Sequence, residues 1–391
     1  RDENVKITRE FKDTTFSNNI LSSLLWNIAV KLNSNNQIGF KNLYSINADD
    51  KVVLRKGIYD ATDVSNLAWQ KSNVRFYTQN NIYSGQLNGD HYLPKSKVKV
   101  KWIGGLSNIQ RNIPNLRRMV YQKTSGAEDD SVKYAAQVLD DAVGPTSSGS
   151  MFFSKTKESI YSLKYDISRV FEMKKSKHEI KIGGFNQYRT RDFTARLLGY
   201  TKFNNPRSPT NPTAALFNNE LLLLDESQIF NEQNIGFIDG PGNYDGGFKI
   251  SESTTYIDSY QASSNLNAGY IMSDSRIMEK LRFIYGLRVE SYKQSLSLLD
   301  PNFIKKTKDT TVIDFLPSIN AVWSLTNQLN IRAAYYRTVN RPEFRELANF
   351  NFYDFVTDYQ TSGNDNLKRA IINNYDLRFE YEILKADCIE Y

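Results

Sequence analysis

Residues 373–383 read NNYDLRFEYEI, an unbroken alternation in which Tyr375, Leu377, Phe379, Tyr381 and Ile383 share one face and Asn374, Asp376, Arg378, Glu380 and Glu382 the other. A period of two belongs to a β-strand, whose successive side chains point to opposite sides of the sheet. The two faces differ sharply, one aromatic and aliphatic and the other charged. A soluble sandwich would bury the apolar face against a second sheet, whereas a membrane barrel would turn it to lipid and line its wet or filled interior with the charges.

The same pattern recurs outward from this stretch. LLWNIAVKLN (24–33) places Leu24, Trp26, Ile28, Val30 and Leu32 together, and IGFKNLYSI (38–46) does so with Ile38, Phe40, Tyr44 and Ile46. The polar turn between them predicts a hairpin. KVKVKWIGGLS (97–107), YSLKYDIS (161–168) and LRFIYGLRVE (281–290) alternate in the same way. Less regular strands are expected near 3–12, 72–87, 179–192 and 260–272, giving about twelve.

Short polar turns are expected at 33–38, 92–97, 172–179, 273–280 and 325–329. Mostly long connections are expected near 47–70, 109–158, 198–255, 299–311 and 340–370. Strict alternation of short and long puts all tight turns at one end of an up-and-down meander and all loops at the other, as in outer-membrane barrels with short periplasmic turns and long extracellular loops. Several strands run past ten residues, where soluble strands average five or six, which also favours the membrane reading. Helical spacing predicts short helices in 212–231 and 132–142.

Composition agrees. The 391 residues are 40% hydrophobic, with mean hydropathy -0.53. No run approaches the roughly 20 apolar residues of a spanning helix. Yet there are 24 Tyr and 22 Phe, enough for aromatic girdles. The net charge of +7 is spread among 43 acidic and 50 basic residues rather than segregated, which argues against nucleic acid as partner, and NIQRNIPNLRRMVYQ (108–122) suits the top of a strand as well as it suits a strand-binding patch. A lone Cys388 and two distant histidines, His91 and His178, argue against a disulfide framework, a metal centre and histidine catalysis. Asp239, Asn243 and Asp245 resemble a calcium loop weakly, with Pro241 at a ligand position; the pairs Asp129–Asp130 and Asp140–Asp141 read as solvated loop acids. No nucleophile elbow or phosphate loop occurs, so neither an enzyme nor a cofactor is expected.

YYRTVNRPEFRELANFNFYDFVTDYQTSGNDNLKRAIINNYDLRFEYE (335–382), with its R-x-x-x-R-P-x-F-R-E-L-x-x-F run and following S-G-N-x-x-L-K, resembles the late-barrel segment of TonB-dependent outer-membrane receptors of the branch with an N-terminal carboxypeptidase-like domain. Residues 259–292, 84–93 and 112–122 are similar to earlier barrel stretches. The resemblance implies part of a 22-stranded barrel in the outer membrane of a Gram-negative bacterium. The chain matches no plug, signal peptide or energy-coupling segment, so residues 1–391 are expected to be an internal barrel piece. Implied partners are outer-membrane lipid, an unidentified nutrient (siderophore, vitamin, oligosaccharide or peptide), a TonB-type energy-transducing protein acting through the absent part, and a surface lipoprotein. The alternatives are an adhesion or secretion-linked barrel without active import and a soluble all-β carbohydrate-binding protein. Arg282, Arg288, Glu290, Asp376, Arg378, Glu380 and Glu382 are expected to face the interior or a plug. Arg337, Arg341, Glu343, Arg345 and Glu346 are expected to form a charge network at the rim, with the aromatics from Phe344 to Phe355 folding the loop back.

Overall fold

The computed structural model describes residues 9–60, 67–124, 132–141, 148–173, 176–203, 216–236, 245–277, 280–326, 328–355 and 359–381. Eleven long strands follow one another: β1 (Arg9–Asn33), β2 (Asn36–Asp60), β3 (Leu67–Leu93), β4 (Val98–Thr124), β5 (Ser150–Met173), β6 (Ser176–Lys202), β7 (Ser259–Ile277), β8 (Leu281–Leu299), β9 (Lys305–Ser324), β10 (Leu329–Asn340) and β11 (Ala370–Tyr381). Each pairs antiparallel with the next in chain order, and the short strands Ala135–Ala136 and Phe248–Glu252 add to β4 and β6. This is an up-and-down meander whose short turns, such as 94–97 and 325–328, fall where expected, while the alternate connections range from 300–304 to the long 341–369.

Register fixes the two faces. Ala268, Glu290 and Asp314 lie side by side across β7, β8 and β9 and are all buried, while their sequence neighbours Tyr285, Leu287 and Phe315 on the opposite face are exposed. Polar groups are buried and large apolar groups exposed, the reverse of a water-soluble protein. A soluble sandwich would hide Leu163, Tyr165 and Ile167, which here are exposed on β5. The apolar face is therefore the lipid face.

That face is apolar only near the tight turns. On β8 it runs through Leu281, Phe283, Tyr285, Leu287 and Val289 and becomes polar at Ser291; on β9 it changes at Thr311, on β10 at Arg337 and on β11 at Asn373. An apolar band about 25 Å tall crossed by strands tilted at roughly 40° takes about ten residues. β2 has 25 residues, so more than half of it stands beyond the band.

This corrects the expected loops. Connections anticipated at 47–70, 109–158 and 299–311 are largely strand, because alternation of lipid-facing residues stops at the membrane surface while the hydrogen-bonded ladder continues: Asp49 still pairs with Thr78 and Leu296 with Lys308. One strand, β1, runs unbroken from Arg9 to Asn33, joining the end of the segment expected near 3–12 to the one expected at 24–33. The helix expected in 132–142 is absent from 132–141, where Ala135 and Ala136 pair with Gln122 and Tyr121 and Val138 is buried in an apolar cluster. Edge pairing and burial outweigh local helical spacing there. In 216–231 only single turns form, at Asn219–Leu223 and at helix α1 (Glu226–Ile229). The calcium-like stretch at 239–244, the acid pair Asp129–Asp130, Glu382 and Cys388 lie outside the described residues, while Asp245 pairs in a two-residue strand with Leu216.

Candidate functional site: an inward-folded loop on the charged face

The connection after β10 does not remain at the rim. Pro342, which cannot donate to a ladder, ends the strand, and the single-turn helix α2 (Phe344–Leu347) follows. Glu343 starts it as a capping box: its backbone N–H donates to the Glu346 carboxylate at 2.8 Å. Phe344, at 1% exposure, Leu347 and Ala348 are buried against Tyr260, Ala262 and Leu296 of β7 and β8. Phe350 meets Phe193 edge-on at 4.9 Å, Phe352 meets Phe152 at 6.1 Å, and Phe355 meets Phe76 at 6.2 Å. The loop thus lies across the inner face from β8 back to β3. Gly363 passes so close to Ala348 that a Cβ would overlap its carbonyl, and Asn364 N–H donates to the Glu346 carbonyl at 2.6 Å. The glycine of the S-G-N run is needed for this close approach.

Charge explains why the loop lies there. Glu290 and Asp314 are direct cross-strand partners on the inner face, and like charges directly opposite destabilise a sheet. Arg341 bridges them, with its Nη2 2.7 Å from Glu290 and 2.7 Å from Asp314. Arg288 lies 2.6 Å from Glu290, and Arg369, at the far end of the same loop, lies 2.5 Å from Asp314. The row Arg288, Glu290, Arg341, Asp314, Arg369 therefore alternates sign throughout. The Asp314 side chain is 2% exposed, so removing one partner would leave a buried carboxylate short of compensation.

A second cluster lies on β5 and β6. Glu158 is paired with Arg189 at 2.9 Å and with Arg191 at 2.5 Å, and Arg189 also reaches Glu343 of the loop at 2.9 Å. Both guanidiniums lie over the Phe344 ring, at 4.8 and 5.3 Å. These positive groups hold the Glu343 carboxyl below the usual range, chiefly through the Arg189 hydrogen bond.

Of the expected interior residues, Arg288 and Glu290 belong to the first cluster. Arg282 instead pairs with Asp274 near a tight turn, at 2.5 Å, and Arg378 and Arg332 share Glu380 at 3.0 and 2.9 Å. Asp376 has no ion pair among the described residues. Of the expected rim network, Arg341 and Glu343 make ion pairs. Arg337 donates to Asn373 at 3.0 Å, Arg345 lies over the Phe352 ring at 4.7 Å, and Glu346 caps α2, so these three are outside the ion-pair network. The difference arises because Arg337 sits on the outer face of β10, while α2 turns Arg345 and Glu346 in different directions. Asp314, Arg369, Glu158, Arg189 and Arg191 were not anticipated, since their importance follows from register rather than from local pattern.

A bulge sorts the arginines of 108–122. Pairing shifts between Ile113 and Leu116, so inward positions change from odd to even. Arg111 and Arg118 both point inward, Arg118 over the Tyr353 ring at 4.0 Å, whereas Arg117 lies over Phe230 at 5.3 Å. Of the histidines, His91 bonds Asn36 and Trp102 at 2.8 and 3.1 Å, and His178 bonds Ser275 and Ser176.

Residues 234–386 match the model of the outer membrane protein beta-barrel family. No curated protein matches the chain at a significant level. Among solved structures, the chain is similar to the ferric-catecholate import receptor Fiu from E. coli K12, with 8% identity, TM-score 0.50, and coverage of 97% of this chain and 56% of that one. It is also similar to the ferric yersiniabactin uptake receptor FyuA from Yersinia pestis (9% identity, TM-score 0.45, 96% and 52%) and to the ferric citrate transporter FecA (11% identity, TM-score 0.44, 84% and 43%). The chain thus spans about half the length of the structures it matches. Family match, fold and inverted polarity together place it in the outer membrane of a Gram-negative cell.

Proposed function

We propose that this chain, an outer-membrane β-barrel of the TonB-dependent receptor kind, forms the wall of a receptor that takes up a scarce nutrient. The observation that carries the reading is the loop 341–369, which packs onto the charged inner face and narrows the interior where an adhesin would present its loops outward. Strands that continue well beyond the lipid band support a binding vestibule on the loop side. Energy would come from a TonB-type protein, a reading supported by the resemblance of residues 335–382 to TonB-dependent receptors. Siderophores, vitamins, oligosaccharides and peptides are the candidate nutrients. The chain's role is that of a transporter or receptor wall, with bond-making chemistry assigned to none of its residues.

Deletion of the gene should abolish growth on one limiting nutrient while leaving growth in rich medium unchanged, and the protein should fractionate with outer membranes and show heat-modifiable mobility. Normal growth under every limitation tried would sink the import reading and leave the adhesion or secretion-linked barrel standing.

A further inference from the structure

Beneath the inward loop lies a cavity of about 250 Å³ between the inner walls of β4–β7 and the loop itself. Its charged lining groups are Arg111, Arg191, Arg345 and Glu158. Glu158 is already bonded to Arg189 and Arg191. Among the described residues Arg111 and Arg345 have no anionic partner; both are exposed to the interior, and their like charges repel across the space. Elsewhere on this face Arg288, Arg341, Arg369, Arg189 and Arg191 are matched with carboxylates, as in the alternating row through Arg341. Two unmatched guanidiniums in a partly enclosed site carry a standing repulsion that an anion would relieve, and the planar guanidinium suits a carboxylate or phosphate in two-point contact.

The rest of the lining is aromatic. Phe193 stacks on Tyr260 with ring centroids 5.0 Å apart, and Phe350 and Phe352 close the loop side. The volume lies just below the roughly 300–1,000 Å³ of small-molecule sites, so it accommodates one acidic group with a flat ring rather than a large ligand. We infer that Arg111 and Arg345 form an anion subsite for the acid group of a small molecule carrying a flat apolar body. The inference rests on the import reading and narrows its nutrient to an acidic, partly aromatic class.

Calorimetric titration of the full-length receptor in detergent with phthalate, a flat dianion, against dimethyl phthalate, its neutral diester, tests this. Phthalate should bind the wild type, at least tenfold more weakly to R111Q or R345Q, and undetectably to the double variant, while R345K recovers part of the loss. Heat-modifiable mobility checks that each variant is folded. If the glutamine variants do not fold, the wild type decides alone: phthalate must outbind the diester at low salt and lose that advantage at high salt. Absence of phthalate binding to wild type, equal binding of the diester, or unaltered binding by a folded double variant overturns the inference. Phthalate binding without a growth phenotype on deletion would keep the subsite and sink import; the converse would sink the subsite alone.

Discussion

The lower and upper parts of this wall are built on one continuous ladder yet are held by different forces. Near the tight turns, the strand faces are sorted by solvent: Leu281, Phe283, Tyr285 and Leu287 meet lipid, and pairing of β8 with both neighbours satisfies the ladder donors that the hydrocarbon could not. Beyond Ser291 no lipid sorts the outer face, and the inner face is held by charge and aromatic packing from a loop far along the chain. The lower part depends on where residues sit relative to the membrane, and the upper part on which residues meet across strands.

The largest expected effect breaks the upper part alone. Arg341→Ala leaves Glu290 and Asp314 facing each other without their bridge and should cost about 3–5 kcal/mol, as for other broken buried pairs. Urea titrations of refolding into vesicles measure it, with early proteolysis of 341–369 as the local readout. Adding Asp314→Asn should recover part of the loss, because one of the two opposed charges is gone; a double variant no better than the single one would show that the bridge is not the cause.

The matching test of the lower part is Leu287→Arg, which puts a charge at mid-band and should cost about 2–4 kcal/mol, against about 0–1 kcal/mol for Ser291→Arg at the band edge. Equal costs at the two positions would mean the lipid boundary is misplaced. In the same titration, Leu287→Arg should leave the loop's protease resistance intact.

Smallest is the effect of pH on the loop. Glu343 has its pKa depressed by Arg189, so its contribution is fully present above the ordinary glutamate range near pH 4.3 and is lost as pH falls below it. With 57% of the side chain exposed, solvent screening limits the effect to less than about 1 kcal/mol. Protease sensitivity of the loop should rise between about pH 5 and 3 in the wild type and change less in Glu343→Gln.

Alternation made the strands, their two faces and the order of turns and loops legible, since each depends only on residues two apart and on the polar breaks between runs. It misjudged strand length because the apolar signal ends at the membrane surface whereas hydrogen bonding does not. The site was legible in part. Arg341 and Glu343 stood out in a stretch rich in charge and aromatic rings, but Asp314 lies in an ordinary-looking strand, and nothing near it in the chain shows that it faces Glu290.

The sequence by itself determined a membrane-facing meander with a charged interior, because solvent sorts each strand locally. Tertiary structure alone decided that Glu290 meets Asp314, that the Pro114 bulge turns Arg118 inward, and that the loop after β10 folds down to bridge and cover them. Those outcomes depend on register summed along whole ladders and on contacts between residues far apart in the chain, which no local period encodes.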